Sequence, residues 1–331
     1  ENYKSPVETN KLSSQPPDDN RFISSSMQIV SRIEAQLKAN KISDKTVNLT
    51  LPTKDIIFRS FVIPWMNANE IKSVVSFEIS KYIPFSLEEL RYSFHPITIT
   101  ANNSKKIRII FVGVRKDTLE NYTNILESAG LNVNIIEPSS QSIVRVLLSQ
   151  NLIQEKQTIA IVEKGEQAGK ITIVEQEIPQ FVREFHLNIQ TKDTTAHEST
   201  DIINRLTNEI RISIDYFTRQ ENFNPVLEIK LITNTSNNNT FSEHLSRDLK
   251  ISTTVLSIQN IIQNNDINNI GYLNAYGIGL YSTTAMASSF NFSKKEIKKA
   301  RTISAPDPTS SHKGTVTILL TCAVIVGLIF F

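Results

Sequence analysis

The stretch FEISKYIPFSLEEL, Phe77 to Leu90, closes an amphipathic helix and stops it with a proline inside an aromatic turn. Upstream, Asn67 stands as an N-cap with Glu70 three residues later, and Ile71, Val74, Val75, Ile79 and Tyr82 recur at helical spacing. That spacing gives the helix one apolar face. Glu78 falls on the same face, where a carboxylate is costly unless a donor meets it. Two readings stand: a helix carboxylate hydrogen-bonded locally, the commoner kind, or a chemical role. Pro84 cannot continue the ladder, so the helix ends near Tyr82 and Ile83.

Outward toward the N-terminus, IIFRSFVIP (Ile56 to Pro64) and VNLTLP (Val47 to Pro52) alternate and are rich in β-branched residues, as strands are. Before them, Ile29, Ile33 and Leu37 mark a helix from Ser24, and residues 1–23 read as a polar, disordered lead. Toward the C-terminus come strand patterns at Arg91 to Thr100 and at KIRIIFVGV (Lys106 to Val114). A helix follows, with Asp117 as N-cap, Glu120 at the capping-box position, and Leu119, Tyr122, Ile125 and Leu126 as its stripe. It stops at Gly130, and LNVNII is a further strand. The order from Ile56 to Ile136 predicts an α+β subdomain, about 54–137, folded as a split pair of βαβ units.

A helix (Gln141 to Gln150) then leads into TIAIVEK (Thr158 to Lys164), KITIVEQ (Lys170 to Gln176) and PQFVREFHLN (Pro179 to Asn188). These predict an antiparallel meander, with Gly165 and Gly169 in its turns. A long helix at Ser199 to Arg219, a strand at Val226 to Thr233, a helix at Phe241 to Leu249, a short strand at Thr253 to Ser257 and a helix at Tyr272 to Met286 complete the pattern. Three strands, helix, strand, helix is the order of one half of a duplicated actin-like domain. The fold class expected is therefore α/β, with residues 24–150 and 151–290 as the two halves.

The 331 residues are 40% hydrophobic and 21% charged, enough apolar surface for a sizeable core. A net charge of +2 gives no broad basic face, which argues against nucleic acid as a partner. The single Cys322 cannot form an internal disulfide, and the five histidines lack metal-ligand spacing, so no metal is expected. No Ser/His/Asp or Cys/His grouping suggests nucleophilic catalysis. The last 18 residues, GTVTILLTCAVIVGLIFF (Gly314 to Phe331), carry no charge and read as a transmembrane helix, cut short at the end of the chain, with a buried core helix as the other reading. Lys294, Lys295, Lys298, Lys299, Arg301 and Lys313 precede it in a basic linker, 291–313. By the positive-inside rule the chain crosses the membrane once, with its large N-terminal portion in the cytoplasm and its C-terminus outward.

The sequence resembles the PilM family of type IV pilus assembly proteins. Glu78 with KYIPF (Lys81 to Phe85) and the pair Glu88 and Glu89 carry the likeness most specifically. ESAGL from Glu127, the Glu137-Pro138 turn, QFVRE (Gln180 to Glu184), NEIRISIDYF (Asn208 to Phe217) and NAYGIGLYS, ending at Ser282, follow in order. The resemblance implies the actin-like ATPase (ribonuclease H-like) fold with an inserted subdomain, and ATP with Mg as candidate ligands between two glycine turns and an adenine-side loop. The first turn, Asp-Gly-Ser in the family, has no counterpart in residues 1–46. At the second, VEKGEQAGK places Glu163 where the family has aspartate, with Gly165 two positions on. At the adenine-side loop, LITNTSNNN places Asn234 and Thr235 where glycines belong. Either the first turn lies on a missing N-terminus, or the scaffold no longer uses ATP.

The resemblance also implies partners: PilN-like and PilO-like inner-membrane subunits and an assembly ATPase. An actin-like domain and a membrane helix in one chain is also similar to the L component of type II secretion. The basic linker then either takes the place of a partner's cytoplasmic tail or is a stop-transfer flank attracted to anionic headgroups. The function expected is a docking scaffold, not an enzyme, with a groove at the Tyr82 to Phe85 turn that takes up a partner segment. Tyr82, Pro84 and Phe85 are its candidate contacts, although Phe85 can equally pack inward as the helix stop. The rival is a working ATPase or nucleotide-gated switch, with Glu163 placing a metal-bound water and Gly165 passing near a phosphate.

Overall fold

The computed structural model describes residues 19–101, 103–154, 157–187, 196–220, 223–234, 239–262, 269–284, 286 and 290–293. Most of the basic linker, Thr235 and the apolar run 314–331 lie outside them. Among the described residues no helix is long and apolar enough to cross a membrane.

The second half follows the expected order. Strands β6 (Ile159–Lys164), β7 (Ala168–Glu175) and β8 (Ile178–His186) form the antiparallel meander, and β9 (Glu228–Thr233) and β10 (Ser252–Ser257) add in parallel on the other side of β6. The sheet order is β10-β9-β6-β7-β8. Alternation along β6 sorts its two faces. Ala160 and Val162 pack with Leu206, Ile210 and Phe217 of α5 (Ala196–Thr218), whereas Ile159 and Ile161 pack with Ile143 and Leu147 of α4 (Ser139–Ser149) and Leu273 of α8 (Gly271–Gly279). Helices α6 (Asn239–Leu249) and α7 (Ile258–Ile262) flank β10, and the last helix, α8, expected to run to Met286, ends at Gly279, followed by a 3-10 turn, Leu280–Ser282.

The first half is smaller. Helix α1 (Asp19–Ala39) opens five residues before Ser24 and sets Ile33 and Leu37 against Leu49 and Leu51 of β1 (Thr46–Leu51). Strand β1 pairs in parallel with β5 (Asn132–Pro138). That pairing corrects the split-βαβ expectation: β5 does not join the strands between Ile56 and Val114. The inserted sheet has three antiparallel strands, β2 (Ile56–Pro64), β4 (Ser104–Arg115) and β3 (Leu90–Ala101), in the order β2-β4-β3. Its central strand is covered on both faces. Ile107, Ile109 and Phe111 meet Ile71, Val75 and Ile79 from the helical segment around α2 (Ala68–Glu78), while Ile110, Val112 and Val114 join the core of the first half.

Helix α2 is locally coded. The Glu70 carboxylate accepts from the Asn67 N–H at 3.3 Å, and a 3-10 turn, Ile79–Lys81, carries the chain to the Tyr82 corner. Glu78 is partly exposed and ion-paired with Lys81 at 2.7 Å, the local reading of that carboxylate. In α3 (Lys116–Ser128) the cap differs from expectation. Arg115 is the N-cap, and Asp117 sits inside the first turn, where it accepts from the Arg115 guanidinium and the Thr118 N–H. An ion pair in the first turn does the work assigned to an Asp117–Glu120 box. The helix ends as predicted, with Gly130 at φ 73°.

Candidate functional site

A cavity of about 720 Å³ opens where β1, the β6–β7 turn, the end of β9 and the start of α8 converge. Glu163, Gly165 and Asn234 all line it, so the structure brings these candidates to one crevice. Thr235 lies outside the described residues.

The β6–β7 turn explains the glycine. Gly165 donates its N–H to the Ala168 carbonyl at 3.0 Å, and a Cβ at position 165 would come within 2.8 Å of that same oxygen. Any other side chain would push the turn open. Gly169, expected in a turn, lies within β7 beneath Phe185.

Glu163 and Lys170 are cross-strand partners in the β6–β7 register, and their side chains meet at 2.6 Å while nearly buried. The Lys170 ammonium also donates to the Ser139 hydroxyl at 3.2 Å, at the first residue of α4. Burial pushes the Glu163 carboxyl above the usual carboxylate range; Lys170 pulls against that shift, and the Glu184 charge adds to it. On the far wall, the Asn234 carbonyl accepts from the Gln259 amide at 3.1 Å. The side-chain oxygens of Asn234 and Asn274 are buried with no hydrogen-bond partner among the described residues. Sequence reasoning missed Lys170, Ser139 and Asn274; only Lys170 had a signal, the hairpin register that sets it opposite Glu163.

Tyr82, Pro84 and Phe85 lie elsewhere, in the turn that follows α2 in the inserted subdomain. Tyr82 is 44% exposed and stacks on Phe61 with ring centroids 5.1 Å apart. Pro84 is exposed, while Phe85 is half-buried against the subdomain core, with the Arg115 guanidinium 5.4 Å from its ring. Arg59, which the sequence did not single out, donates to the Tyr82 carbonyl at 3.1 Å. It also borders a second cavity of about 200 Å³, between β2, the start of α4 and Val182 to Glu184 of β8. Exposed Trp65 and Phe77 add to the apolar surface of the subdomain. Among the described residues no cluster of His, Cys, Asp or Glu is placed to hold a metal ion.

Two buried ion pairs hold these parts together. Arg145 of α4 grips Glu137 at the end of β5, with its second nitrogen at 2.7 Å, and donates to the Gly277 carbonyl of α8 at 3.0 Å. Arg108 of β4 reaches Glu175 of β7 at 3.0 Å beneath the Phe223 ring, whose centroid is 3.5 Å away. The inserted sheet is thereby tied to the second half.

The structure is similar to that of a PilM-PilN type IV pilus biogenesis complex, with a TM-score of 0.57 at 17% identity over 72% of this chain and 77% of that one. Fainter likenesses are to the cytoplasmic domain of EpsL, an inner membrane component of the type II secretion system of Vibrio cholerae (TM-score 0.37, 14% identity, 60% and 66% covered), and to a Bacteroides thetaiotaomicron protein with an actin-like ATPase fold and unknown function (TM-score 0.36, 12% identity, 73% and 78% covered). The family described as type IV pilus assembly protein PilM matches residues 9–190, more than half of the sequence, and the chain belongs to that family.

Proposed function

We propose that this protein is a docking scaffold of type IV pilus assembly. Its actin-like body sits on the cytoplasmic face of the bacterial inner membrane, tied there by residues 314–331, and receives PilN-like and PilO-like subunits and the assembly ATPase. The observation that carries docking over catalysis is the Glu163–Lys170 ion pair. The fold family implies ATP and magnesium in this cleft, and the residues at its metal and phosphate positions do not fit them. The carboxylate at the metal-side position already holds an ammonium, and the Gly165 N–H that would approach a phosphate already serves the Ala168 carbonyl. A buried carboxylate already paired with an ammonium must give that partner up before a hydrated cation could take its place.

Docking is supported by the surface around Tyr82. An aromatic turn, exposed Trp65 and Phe77, and Arg59 between the turn and the smaller cavity make a surface with apolar anchors and a guanidinium for orientation. Tyr82, Pro84 and Phe85 are its contact residues. An apolar run on the same chain as the actin-like body favours a second reading, the L-type component of type II secretion. The size of the larger cavity and its two unpartnered amide oxygens favour a third, a nucleotide-gated switch.

One titration separates scaffold from switch. A ligand at a hundred times its Kd adds about 2.7 kcal/mol of stability, so thermal melts of the full chain with Mg-ATP are a sensitive readout. The scaffold reading expects no saturable shift; magnesium-dependent stabilisation overturns it. Capture from membranes with Tyr82→Ala and Phe85→Ala as control tests the docking surface. Recovery of inner-membrane pilus subunits by the unaltered chain and their loss with the variant are expected, whereas recovery of type II secretion subunits would select the second reading.

A further inference from the structure

Trp65 is the only tryptophan of the chain, and its exposure runs against its place in the sequence. Along β2, Phe61 and Ile63 point into the subdomain core, and a continued strand would send Trp65 the same way. The strand stops at Pro64 instead, and Trp65 is 54% exposed. Of the exposed aromatics of the subdomain it alone lacks a ring partner among the described residues. Tyr82 stacks on Phe61, and the Lys81 ammonium lies 5.3 Å from the Phe77 ring centroid.

The sheet that ends at this indole is cationic. Strands β2, β3 and β4 contain no Asp or Glu and six Lys or Arg: Arg59, Arg91, Lys105, Lys106, Arg108 and Arg115. Three of these are engaged within the fold, Arg59 with the Tyr82 carbonyl, Arg108 with Glu175 and Arg115 with Asp117. Lys105 and Lys106 stand at the far end of the β3–β4 hairpin. Lys106 pairs in register with Pro64, the last residue of β2, and exposed Lys105 lies one step farther, where only β3 continues beside β4. The hairpin thus carries both lysines to the corner at which Trp65 leaves the sheet. The acidic residue nearest to Trp65 in the sequence, Glu70, is turned to the Asn67 N–H.

This composition separates two kinds of partner. A protein hot spot holds its tryptophan in a pocket ringed by side chains that exclude water. Here the neighbours along the chain, Pro64, Asn67, Ala68 and Asn69, are all exposed. A tryptophan with lysines beside it and no pocket has the make-up of a bilayer interface, where the ring lies at headgroup level. Each lysine close to an anionic leaflet raises partitioning about fivefold. We propose that the corner formed by Trp65, Lys105 and Lys106 is a contact with anionic lipid: the indole enters the headgroup region and the two ammonium groups meet lipid phosphates. The proposal rests on the membrane-tied body proposed for this chain, because one indole and two lysines bind weakly by themselves and become effective when the body is already held at the surface. The contact sets an orientation. Phe61, beneath Tyr82, is about 13 Å from Trp65 along the strand direction, so the corner holds the Tyr82 surface a short distance above the bilayer.

Because Trp65 is the sole tryptophan, its emission reports on the corner without any substitution. The full chain is reconstituted into vesicles of phosphatidylcholine alone or of phosphatidylcholine with phosphatidylglycerol. Flotation shows whether the chain is on the membrane, and quenching by lipids brominated near the top of the acyl chain shows whether the indole is in it. The expected result is flotation with both vesicles and a blue-shifted, quenched emission with the anionic ones only. High salt, or the double variant Lys105→Gln, Lys106→Gln, should reduce the quenching several-fold. Flotation without quenching in anionic vesicles overturns the proposal and leaves the tether in place. Flotation and quenching that are both confined to anionic vesicles support the contact and overturn the tether, and no flotation with either vesicle overturns both. Quenching that is equal in neutral vesicles, or indifferent to the two lysines, also overturns the lipid contact. So does an unquenched indole together with loss of captured membrane subunits in Trp65→Ala, which would place Trp65 in a protein interface. The Mg-ATP titration is unaffected by any of these outcomes.

Discussion

Two buried carboxylates near α4 have been put to different uses. Glu137 ends β5 and is wholly buried; both of its oxygens are taken by Arg145, and Ser142 donates to one of them at 2.6 Å. Glu163, near the end of β6, has a single ammonium beside it, borders the large cavity, and holds its proton more tightly than an ordinary carboxyl. The first belongs to a joint, because Arg145 also reaches α8; the second belongs to a wall. Burial alone does not mark a site. What distinguishes the two is how completely the charge is answered.

If Glu137–Arg145 is a joint, breaking it should produce the largest effect in the molecule. Arg145→Met leaves a carboxylate buried with one hydroxyl for company, and removing one partner of such a pair costs about 3–5 kcal/mol. Urea denaturation of the full chain should show that loss; a cost below about 1 kcal/mol would mean that Glu137 is less isolated than its burial implies. Gly277→Ala tests the same joint without touching charge. A Cβ there would lie 2.2 Å from the Ser142 carbonyl oxygen, so α4 and α8 must move apart. Overpacking of this kind costs about 1–3 kcal/mol.

These joints also show what could be read from the sequence. The second half was legible because its meander is local: three strands follow one another through short turns, and alternation along each names the buried face. The first half was only partly legible. Strand β5 has the composition to complete either sheet, and its pairing with β1 is settled by tertiary packing on α1 and α3 that no local pattern announces. At α3, Asp117 and Glu120 have the spacing of a capping box, but Arg115 draws Asp117 into an ion pair one step inside the helix. Glu163, Gly165 and Asn234 were placed through resemblance, and the cavity unites them. The Asn291 contact with Ile136 spans 155 residues, beyond the reach of periodicity.

The wall carboxylate gives a smaller, pH-dependent effect. In Lys170→Met the ammonium that opposes the shift is gone, so the folded-state pKa of Glu163 rises further above its unfolded value. A folded pKa raised above the unfolded one means that the folded state binds the proton more tightly. The variant should therefore approach the parent below the unfolded carboxyl pKa, and its deficit should grow as pH rises through the folded pKa. Melting temperatures of both proteins across that window measure the difference. Adding Glu163→Gln should remove its pH dependence; a deficit that is flat with pH in Lys170→Met alone would show that lost packing, not the carboxyl, is responsible.

The smallest effect is expected where the sequence first suggested chemistry. Glu78 lies on the apolar face of α2, yet its side chain is 25% exposed and its ion-pair partner Lys81 is 55% exposed. Solvent screens such a pair, and holding two long side chains in one geometry offsets much of the attraction that remains. Glu78→Gln keeps the shape and hydrogen-bonding capacity while removing the charge, so denaturation should move by no more than about 0.5 kcal/mol, with a smaller difference in high salt. A loss of several kcal/mol would put Glu78 with Glu137, as a charge the fold depends on. A normal melt with failed capture of membrane partners would instead place it on the docking surface beside Tyr82, where its exposure leaves it within reach of another protein.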